Sequence, residues 1–321
     1  MVTADEPTDT GRARLLEKLQ RDLGPTIGGA LLAPTTIEVM LNPDGSVWHE
    51  SLGQNPMEIG RLDRAAALAA VQIIAAILGE VVTRESPLLE GEMPVDGSRF
   101  AGQIPPLVDA PTFAIRRKAS AVFSLDQYVE TGVLSAPHAA VIRAAISAHK
   151  NIVVVGGTSS GKTTFLNALI AEMVRQFPDE RFITIEDTRE LQCTARNKVS
   201  YKTSNQVSMT QLLRTTLRMR PDRIIVGECR GSEALDLLDA WNTGHEGGAA
   251  SIHANSPTAG LTRLRSLVSR NTAAPREIEP LIGEVVHLVV HMAKVPGQGR
   301  RVLNVLSVEG YENGTYKTTS H

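Results

Sequence analysis

The chain has 321 residues, of which 42% are hydrophobic, 21% charged and 4% aromatic. This composition is globular and allows about two domains, whose cores must rely on aliphatic side chains. With 33 basic and 35 acidic side chains the formal net charge is -2, which excludes a global basic field for nucleic acid or anionic lipid. The only cysteines are Cys193 and Cys229, too few for a zinc module or a disulfide framework, and they indicate reduced thiols in a cytosolic protein.

The N-terminal residues give no targeting signal. MVTADEPTDT lacks the basic and apolar regions of a signal peptide and is predicted to be a disordered lead-in. The longest nearly apolar run, Ala65 to Leu78, contains Gln72 and is shorter than the roughly 20 residues that a membrane span needs. We interpret this run as a buried helix, so any attachment to a membrane would be peripheral.

The first part of the chain predicts a small α+β domain. A helix, a hairpin, a second helix and a further strand group follow one another, and Gly24-Pro25 is expected to end the first helix. The predicted elements are the helix Arg12 to Leu23, the strands Thr36 to Leu41 and Ser46 to Glu50, the helix Leu62 to Leu78, and the strand group Met93 to Lys118. We assign residues 1–125 to this domain, residues 126–137 to a linker, and residues 138–321 to a second domain.

The second domain alternates predicted strands with helices, which indicates the α/β class with a parallel, helix-covered sheet. Residues 191–205 are predicted to be irregular. The predicted strands are Ile152 to Val155, Arg181 to Glu186, Arg223 to Glu228, Ala249 to His253, Glu284 to Met292 and Arg301 to Gly310. Ligands of such sheets bind beyond the carboxyl ends of the strands. Glu186, Glu228 and His253 all fall at those ends.

The first of these strands leads into a glycine-bounded loop with the pattern G-x-x-x-x-G-K-T. The backbone N–H groups of such a loop surround nucleotide phosphates, the lysine reaches the β- and γ-phosphates, and the hydroxyl binds Mg²⁺. The alternative is a glycine-rich turn without a ligand, but the strand, loop and helix context favours the nucleotide. The predicted ATP-binding residues are Gly156, Gly157, Thr158, Ser159, Ser160, Gly161, Lys162, Thr163 and Thr164.

Two carboxylates are candidates for the hydrolysis of a γ-phosphate. Glu228 follows an apolar strand and could position or deprotonate water, while Gly227 stands where phosphate-loop ATPases often carry a metal-binding aspartate. Mg²⁺ is therefore expected to rely on Thr163, phosphates and waters, with Glu228 acting through water. Glu186 could orient the attacking water, or Glu186 and Asp187 could merely cap the segment that follows.

Two histidines and one arginine complete the predicted catalytic set. His245 and His253 have no cysteine or third histidine beside them, so a metal-ligand role fits them poorly. His253, at a strand end, could hydrogen-bond the γ-phosphate, and either histidine could instead be structural. Arg230 could bridge a phosphate or Glu186, or form a surface salt bridge.

Basic residues of the first domain are further candidates for contact with ATP. The adjacent residues Arg116, Arg117 and Lys118 fit a solvated edge strand. Together with Arg99, they also fit arginines that face nucleotide phosphates across a domain or subunit boundary. The sequence does not orient these side chains, so Arg99, Arg116 and Arg117 are predicted as a group.

Four ordered segments resemble the motifs of a known superfamily. GGTSSGKTT, ITIEDTREL, RMRPDRIIVGECRG and TGHEGGAASIHANSP resemble the Walker A, Asp, Walker B and His boxes of the secretion ATPases of type II and type IV secretion systems. The earlier segment DGSRFAGQIPPLVDAPTFAIRRKA is similar to the conjugal-transfer branch, the TrbB-like ATPases. The presence of two cysteines, instead of the four-cysteine zinc module of many type II members, favours the same branch.

The resemblance implies a homo-hexameric ring in which each subunit joins an N-terminal domain through a linker to a RecA-like P-loop ATPase domain. It implies ATP and Mg²⁺ at residues 156–163, Glu186 in the Asp box, Glu228 as the catalytic glutamate, and His245 and His253 in the His box. It also implies a peripheral position on the cytoplasmic face of the inner membrane, with secretion or conjugation channel proteins as partners.

The leading hypothesis is an ATP-hydrolysing motor that powers pilus biogenesis or conjugal substrate transfer. The first alternative is a nucleotide-dependent assembly factor of the secretion channel with negligible turnover. A RecA-like nucleic-acid translocase is disfavoured by the neutral net charge, and no direct sequence-specific nucleic-acid binding is expected. A small-molecule kinase is disfavoured because no segment resembles an acceptor-binding lid.

Overall fold

The computed structural model describes residues 9–118, 122–204 and 206–321, and the chain divides into two compact units, residues 1–120 and 121–321. Residues 1–8 of the predicted lead-in lie outside the described residues. Residues 9 and 10, which were also predicted to be disordered, already belong to the first helix.

In its described residues, the first unit is an antiparallel sheet with two helices. Its strand order is β3-β2-β1-β6-β5-β4, and each neighbouring pair is antiparallel. The elements are α1 (Asp9–Leu32), β1 (Thr36–Leu41), β2 (Ser46–Ser51), β3 (Met57–Arg61), α2 (Arg64–Ile77), β4 (Leu88–Glu92), β5 (Arg99–Gln103) and β6 (Thr112–Arg116). The α+β prediction for this part of the chain thus agrees with the structure, although β3 and β4 have no counterpart among the predicted strands.

The first helix bends where the sequence predicted that it would stop. Gly24 has φ 74° and ψ 171°, a backbone conformation that interrupts the helix at no side-chain cost because glycine has no Cβ. Helical structure resumes at Pro25, since proline fits the first turn of a helix. Both segments carry buried residues, among them Leu19 before the bend and Ile27 after it. The break was correctly predicted, and the second helical segment was not.

The alanine-rich helix α2 is buried in the core of the first unit. Asp63 caps its amino end by accepting hydrogen bonds from the N–H groups of Ala65 (2.8 Å) and Ala66 (3.3 Å). Ala70, Val71 and Ile74 are fully buried against the sheet and α1. In the part of the chain that the structure describes, no helix combines the length and the hydropathy required to cross a bilayer.

The second unit is an α/β sheet covered by helices on both faces. Its strand order is β14-β13-β12-β7-β11-β10-β8-β9, with parallel pairing from β12 to β9 and antiparallel pairing from β12 to β14. The elements are α3 (Leu125–Glu130), α4 (Ala136–Ser147), β7 (Ile152–Gly156), α5 (Lys162–Gln176), β8 (Phe182–Glu186), β9 (Lys198–Lys202), α6 (Met209–Thr216), a 3₁₀ turn (Leu217–Met219), β10 (Arg223–Val226), α7 (Glu233–Asn242), β11 (Ala249–His253), α8 (Pro257–Val268), α9 (Ile278–Val285), β12 (Leu288–Val295), β13 (Gly299–Glu312) and β14 (Thr315–Ser320).

Alternate residues of β7 enter the two cores of this unit. Val153 and Val155 belong to the core beneath α6 to α9, whereas Ile152 and Val154 belong to the core beneath α3 to α5. All four side chains are nearly or fully buried because β7 has strands on both sides and helices on both faces. The continuous β-branched run in the sequence is therefore the signature of a central strand.

The segment predicted to be a linker, residues 126–137, is folded into the second unit. It contains most of α3 and the first turn of α4, and the Val133 carbonyl accepts a hydrogen bond from the Val302 N–H in β13. Leu125 and Tyr128 are buried, and the Tyr128 ring packs edge-on against Phe165 of α5. The sequence predicted a connection here, but tertiary packing makes this segment part of the second unit.

Two further strands escaped the sequence patterns. β9 lies inside residues 191–205, which were predicted to be irregular, and β14 follows the last predicted strand. Both are at sheet edges, and their side chains are mostly exposed or half-buried. An exposed edge strand needs no apolar alternation, so composition could not reveal these two.

Asn151 joins three segments at the amino-terminal edge of the second sheet. Its Oδ1 accepts hydrogen bonds from the N–H groups of Gly247 (2.9 Å) and Gly248 (3.1 Å), and its Nδ2 donates to the Val285 carbonyl (2.9 Å). The side chain is fully buried. It thereby fixes the loop before β11 and the end of α9 to the start of β7.

We predict that Asn151→Ala lowers the free energy of unfolding of the second unit by about 2–4 kcal/mol, because buried backbone groups lose their partners. Urea unfolding followed by Trp241 fluorescence would measure this change. Asn242→Ala, at an exposed position at the end of α7, is the control and should change the value by less than about 0.5 kcal/mol. Equal stability of the two variants would contradict the prediction.

Candidate functional site

The predicted phosphate loop begins where the parallel strands β7 and β11 end together, beside β12, which continues further. Gly156, the last residue of β7, is in register with His253 of β11 on one side and Met292 of β12 on the other. A Cβ at Gly156 would lie 2.3 Å from the Met292 carbonyl oxygen and 2.5 Å from Ser160 Oγ. Only glycine allows this close approach, so the first glycine of the motif is a packing requirement as well as a loop signal.

The loop itself has the shape of an anion cradle. Ser159 has φ 58° and Gly161 has φ 96°, two left-handed positions that turn the backbone back on itself before α5. The amino end of α5 has no side-chain cap, whereas serine residues cap α3, α4, α6 and α8. Ser160 Oγ is buried without a hydrogen-bond partner. Unsatisfied donors at a helix amino end suit a phosphate group.

Lys162, the first residue of α5, is buried and turns back over the loop. Its Nζ donates to the carbonyl oxygens of Gly156 and Gly157, both at 3.0 Å, and lies 3.2 Å from His253 Nδ1. Because these three acceptors are neutral, the ammonium charge is not cancelled by a carboxylate among them. Thr163 and Thr164 follow on α5 and are half-buried.

Backbone contacts with β11 and the next turn place Glu228 beyond the end of β10. Ser251 Oγ donates to the Gly227 carbonyl (2.6 Å), and the Cys229 N–H donates to the Ser251 carbonyl (2.9 Å), so the chain on both sides of Glu228 follows β11. Oε1 of Glu233 accepts hydrogen bonds from the backbone N–H groups of Arg230 and Gly231, both at 2.7 Å. These bonds close the turn that leads into α7.

The Glu228 carboxylate is held between a histidine and an arginine. Oε1 lies 2.6 Å from His253 Nε2, and Oε2 accepts from Arg230 Nη2 at 2.6 Å. Arg230 Nη1 also lies 3.4 Å from Asp187 Oδ2, a weaker contact. Burial favours a raised pKa for Glu228, but the hydrogen bond and charge of Arg230, with the charges of His253 and Lys162, outweigh it and lower the pKa. Glu228 is therefore ionised at neutral pH.

His253 connects the loop lysine to this carboxylate. An ammonium can only donate, so Nδ1 must accept from Lys162, and the proton of the neutral ring lies on Nε2. This nitrogen is 2.6 Å from Glu228 Oε1, but the two groups are not aligned for a hydrogen bond. Burial and the positive charge of Lys162 lower the pKa of His253, although the Glu228 charge acts in the opposite direction. The result is a chain of contacts from Lys162 through His253 to Glu228 and Arg230.

Glu186, the other predicted carboxylate, is buried at the end of β8 and binds backbone. Its Oε1 accepts from the N–H groups of Glu190 (2.9 Å) and Leu191 (2.7 Å). These contacts correspond to the capping role that the sequence left open. A Cβ at position 227 would lie 3.0 Å from Glu186 Cγ, so Gly227 lets this side chain pass close to the strand end.

The structure does not bring His245 to the phosphate loop of the same subunit, which corrects its place in the predicted catalytic set. His245 precedes β11, and the loop that carries it is bound to Asn151 and Arg223 at the amino-terminal edge of the sheet. His253 ends the same strand, so the five residues of β11, about 17 Å of extended chain, separate the two histidines. Two histidines eight positions apart in a strand-forming segment cannot share one end of it.

The first unit separates the three candidate arginines into two groups. Arg99 and Arg116 are directly opposite each other on β5 and β6, and Glu38 of β1 is opposite Arg116 in the same row. Arg117 follows Arg116, and its Nη1 donates to the Ala33 carbonyl, just after α1. Arg99 and Arg116 thus share one half-buried row of side chains, and Arg117 has a structural partner instead.

Comparison with known proteins identifies the family. The family profile described as "Type II/IV secretion system protein" matches residues 65–306, which is most of the chain. The chain is a member of this family. It is 46% identical over 307 residues to the "Probable conjugal transfer protein TrbB" of Sinorhizobium fredii, covering 96% of this chain and 94% of that protein. The "Conjugal transfer protein TrbB" of Rhizobium radiobacter is also 46% identical, over 95% of this chain and 94% of its own. The TrbB branch predicted from the motifs is confirmed.

Solved structures agree with this assignment. The VirB11 ATPase of the Brucella suis type IV secretion system, crystallised with sulphate, is 28% identical, covers 92% of this chain and 96% of its own, and has a TM-score of 0.50. The Legionella pneumophila ATPase DotB has a TM-score of 0.62 at 17% identity, over 98% of this chain and 84% of its own, and supports the fold alone. The predicted fold class, a RecA-like P-loop domain with a smaller N-terminal α+β domain, is confirmed.

One side chain at the phosphate loop was not predicted from the sequence. Arg300, at the start of β13, donates from Nε to the Ser159 carbonyl oxygen at 3.1 Å. It lies about 140 positions from the loop in sequence and in no motif, and only the pairing of β12 with β7 brings it there. Among the described residues no cluster of three or more His, Cys, Asp or Glu side chains could hold a metal ion by itself.

We predict that His253 is neutral at pH 7 and titrates below its ordinary pKa of about 6.5. Glu228→Gln should lower the pKa further because it removes the negative charge, whereas Lys162→Ala should raise it because it removes a positive one. An NMR titration of the His253 ring in each protein would measure these shifts. A rise in the Glu228→Gln variant would contradict the chain of contacts described above.

Proposed function

We propose that this chain is an ATP-hydrolysing motor of a type IV secretion or conjugation system. The observation that carries this proposal is the contact chain from Lys162 through His253 to Glu228, which links a phosphate-binding lysine to an ionised carboxylate. Such a link is what hydrolysis of a γ-phosphate needs: a cation at the transferring group and a group that positions water. A glycine-rich turn without a ligand would require neither.

The residues of the loop fit the phosphates of ATP. The uncapped amino end of α5, the buried Ser160 hydroxyl without a partner, and the open space around Gly157 all lie in one loop. Residues 156–164 would bind the phosphates. Mg²⁺, which this chemistry requires, would be held by the Thr163 hydroxyl and through water by Glu228, and would supply positive charge to the transferring phosphoryl group.

The described contacts suggest how the residues respond to a bound phosphate. Lys162 donates to three neutral acceptors, so a phosphate oxygen can replace one of them and gain a charge-assisted hydrogen bond. His253 would then be free to turn its ring toward the same phosphate. Glu228, ionised because its pKa is lowered, would accept a proton from water or orient it. Arg230 would neutralise the carboxylate until that step.

The Brucella suis relative belongs to a type IV secretion system, and the TrbB relatives are named as conjugal transfer proteins. These similarities support a role in secretion or conjugation. On this basis we propose a homo-hexamer, with Arg99 and Arg116 reaching the nucleotide from an N-terminal domain. Channel proteins on the cytoplasmic face of the inner membrane would be its partners. Glu186 would contribute by supporting the strand end, and we assign no role in the chemistry to His245.

A nucleotide-dependent assembly factor with negligible turnover is the second candidate. The contacts of Glu228 with Arg230 and His253 favour it, because a carboxylate that is hydrogen-bonded to Arg230 and crowded by His253 is poorly placed to activate water until these side chains move. The two candidates differ in whether the carboxylate is needed, and this difference can be measured.

We predict that Lys162→Ala lowers ATP turnover roughly 10²- to 10³-fold, as loss of a charge-stabilising donor does, without unfolding the protein. Glu228→Gln should lower turnover by a similar factor and leave ATP binding intact. A phosphate-release assay would measure turnover, and circular dichroism would verify folding.

Two matched variants serve as controls for this experiment. Lys150→Ala and Glu246→Gln change exposed residues at the opposite, amino-terminal edge of the same sheet, and both should keep wild-type turnover. Full turnover in Lys162→Ala would refute the ATPase proposal. Negligible wild-type turnover, with channel assembly retained in Glu228→Gln, would favour the assembly factor.

We predict that Arg99→Ala and Arg116→Ala lower turnover by roughly 10²-fold, as removal of a charge-stabilising donor does, while Arg117→Ala does not. The reason is that Arg117 is bound to the Ala33 carbonyl, whereas the other two share a row without such a backbone contact. Turnover should be measured over a range of protein concentrations, with particle mass from light scattering.

The concentration series tests whether the sites are shared between subunits. Turnover per chain is expected to rise as a particle of six chains forms, and the two arginine variants should form that particle with little turnover. If a monomer of the wild type hydrolyses ATP at the full rate, the hexameric motor is wrong and the arginines act within one chain or not at all.

A further inference from the structure

The hairpin of β12 and β13 extends beyond the carboxyl-terminal edge of its neighbour β7. Met292 is in register with Gly156, the last residue of β7, but β12 continues to Val295. After the turn, β13 returns from Gly299, which pairs with Val295. The end of the hairpin therefore projects past the point where the phosphate loop begins, and its side chains are placed beside that loop.

Arg300 covers the loop from this hairpin. Its Nε donates to the carbonyl of Ser159, one of the two loop residues with positive φ. Its Cδ would lie 3.0 Å from a Cβ at Gly161, the residue before the lysine. Its positive charge also acts on the Tyr128 hydroxyl of α3, where it opposes the rise in pKa that burial causes. The guanidinium thus lies at the loop surface with its two terminal nitrogens free of protein acceptors among the described residues.

A second cation stands directly opposite Arg300. Lys294 of β12 is its register partner across the hairpin, and like charges at directly opposite positions destabilise a strand pair. In the described part of the chain, neither side chain forms an ion pair with a carboxylate. The two charges therefore raise the positive potential beside the phosphate loop without compensation from the protein.

We propose that Arg300, assisted by Lys294, is a second cationic contact for the polyphosphate of the bound nucleotide, supplied by the same chain as the phosphate loop. Arg300 keeps Nε on the Ser159 carbonyl, which orients the guanidinium, and offers its terminal nitrogens to phosphate oxygens. This inference rests on the proposed function and deepens it, because it assigns a nucleotide-binding role to a hairpin outside the four motifs.

If Arg300 only supported the phosphate loop, its side chain would need different properties from those needed to contact a phosphate. Loop support needs only the Nε hydrogen bond, which lysine cannot reproduce in that geometry, and it is insensitive to bulk salt. Contact with a phosphate needs the charge, which lysine retains, and the binding it contributes weakens as salt increases. Charge and hydrogen bond can therefore be separated by substitution and by ionic strength.

The test is equilibrium binding of a non-hydrolysable ATP analogue and of ADP to the full chain by calorimetry, at several salt concentrations. The variants are Arg300→Ala, Arg300→Lys and Lys294→Ala. Arg301→Ala is the matched control, because the adjacent residue of β13 points to the opposite face of the strand. Lys162→Ala is the reference for loss of the phosphate loop itself.

We expect Arg300→Ala to weaken binding of the ATP analogue about tenfold or more, the equivalent of one charge-assisted hydrogen bond, and to reduce the salt dependence of the affinity. Arg300→Lys should restore most of the affinity, Lys294→Ala should have a smaller effect in the same direction, and Arg301→Ala should match the wild type.

Two results would overturn the inference while leaving the proposed function intact. One is wild-type affinity in Arg300→Ala together with weak binding in Lys162→Ala. The other is equal loss in Arg300→Ala and Arg300→Lys with unchanged salt dependence, which would identify a loop-supporting residue. If the wild type fails to bind either nucleotide, or Lys162→Ala binds as tightly, the proposed function itself fails.

Discussion

The arrangement of the site depends on one close contact, the approach of Gly156 to the backbone of β12. The strands β7 and β11 end in register at Gly156 and His253, and Met292 of the longer strand β12 lies beside Gly156. The space next to the Met292 carbonyl leaves no room for a Cβ. Because the chain can turn immediately at this point, the loop folds back and starts α5 beside the same strand ends. The Lys162 ammonium then reaches both the loop carbonyls and His253. A larger residue at position 156 would displace the loop from every one of these partners.

The charges that meet at these strand ends are balanced through a neutral ring. A buried ammonium and a half-buried carboxylate are costly unless each has polar partners. His253 accepts a hydrogen bond from Lys162 and lies 2.6 Å from Glu228, whose carboxylate accepts its hydrogen bond from Arg230. Burial lowers the pKa of His253, and the charge of Lys162 acts in the same direction because a protonated ring would place a second cation beside it. Three acceptors of Lys162 are neutral, so an incoming anion that takes the place of any of them does not displace a carboxylate.

Patterns of neighbouring residues in the sequence correctly predicted the parts of this site that are formed by one continuous segment. The glycines of the loop and the apolar run before it fix a strand, a turn and a helix start within about fifteen residues, so their geometry follows from their order. His245 was misplaced because spacing along the chain does not say which end of a strand a residue occupies. The helix α3 was taken for a linker because its burial depends on Phe165, forty residues later. Arg300 could not be found at all, since it reaches the loop only through the pairing of β12 with β7.

Each unit contains a pair of cationic side chains at directly opposite positions of neighbouring strands. The two pairs differ in whether acidic residues stand beside them. Arg99 and Arg116 stand opposite each other between Glu92 and Glu38, so acidic neighbours in the same row offset part of their repulsion. Among the described residues, no acidic side chain is paired with Lys294 or Arg300, and their repulsion is a cost to the hairpin. A fold keeps an uncompensated cation pair most readily where an anion binds beside it. The position of this pair next to an uncapped helix end and the buried, unsatisfied Ser160 hydroxyl makes a phosphate chain the anion that fits.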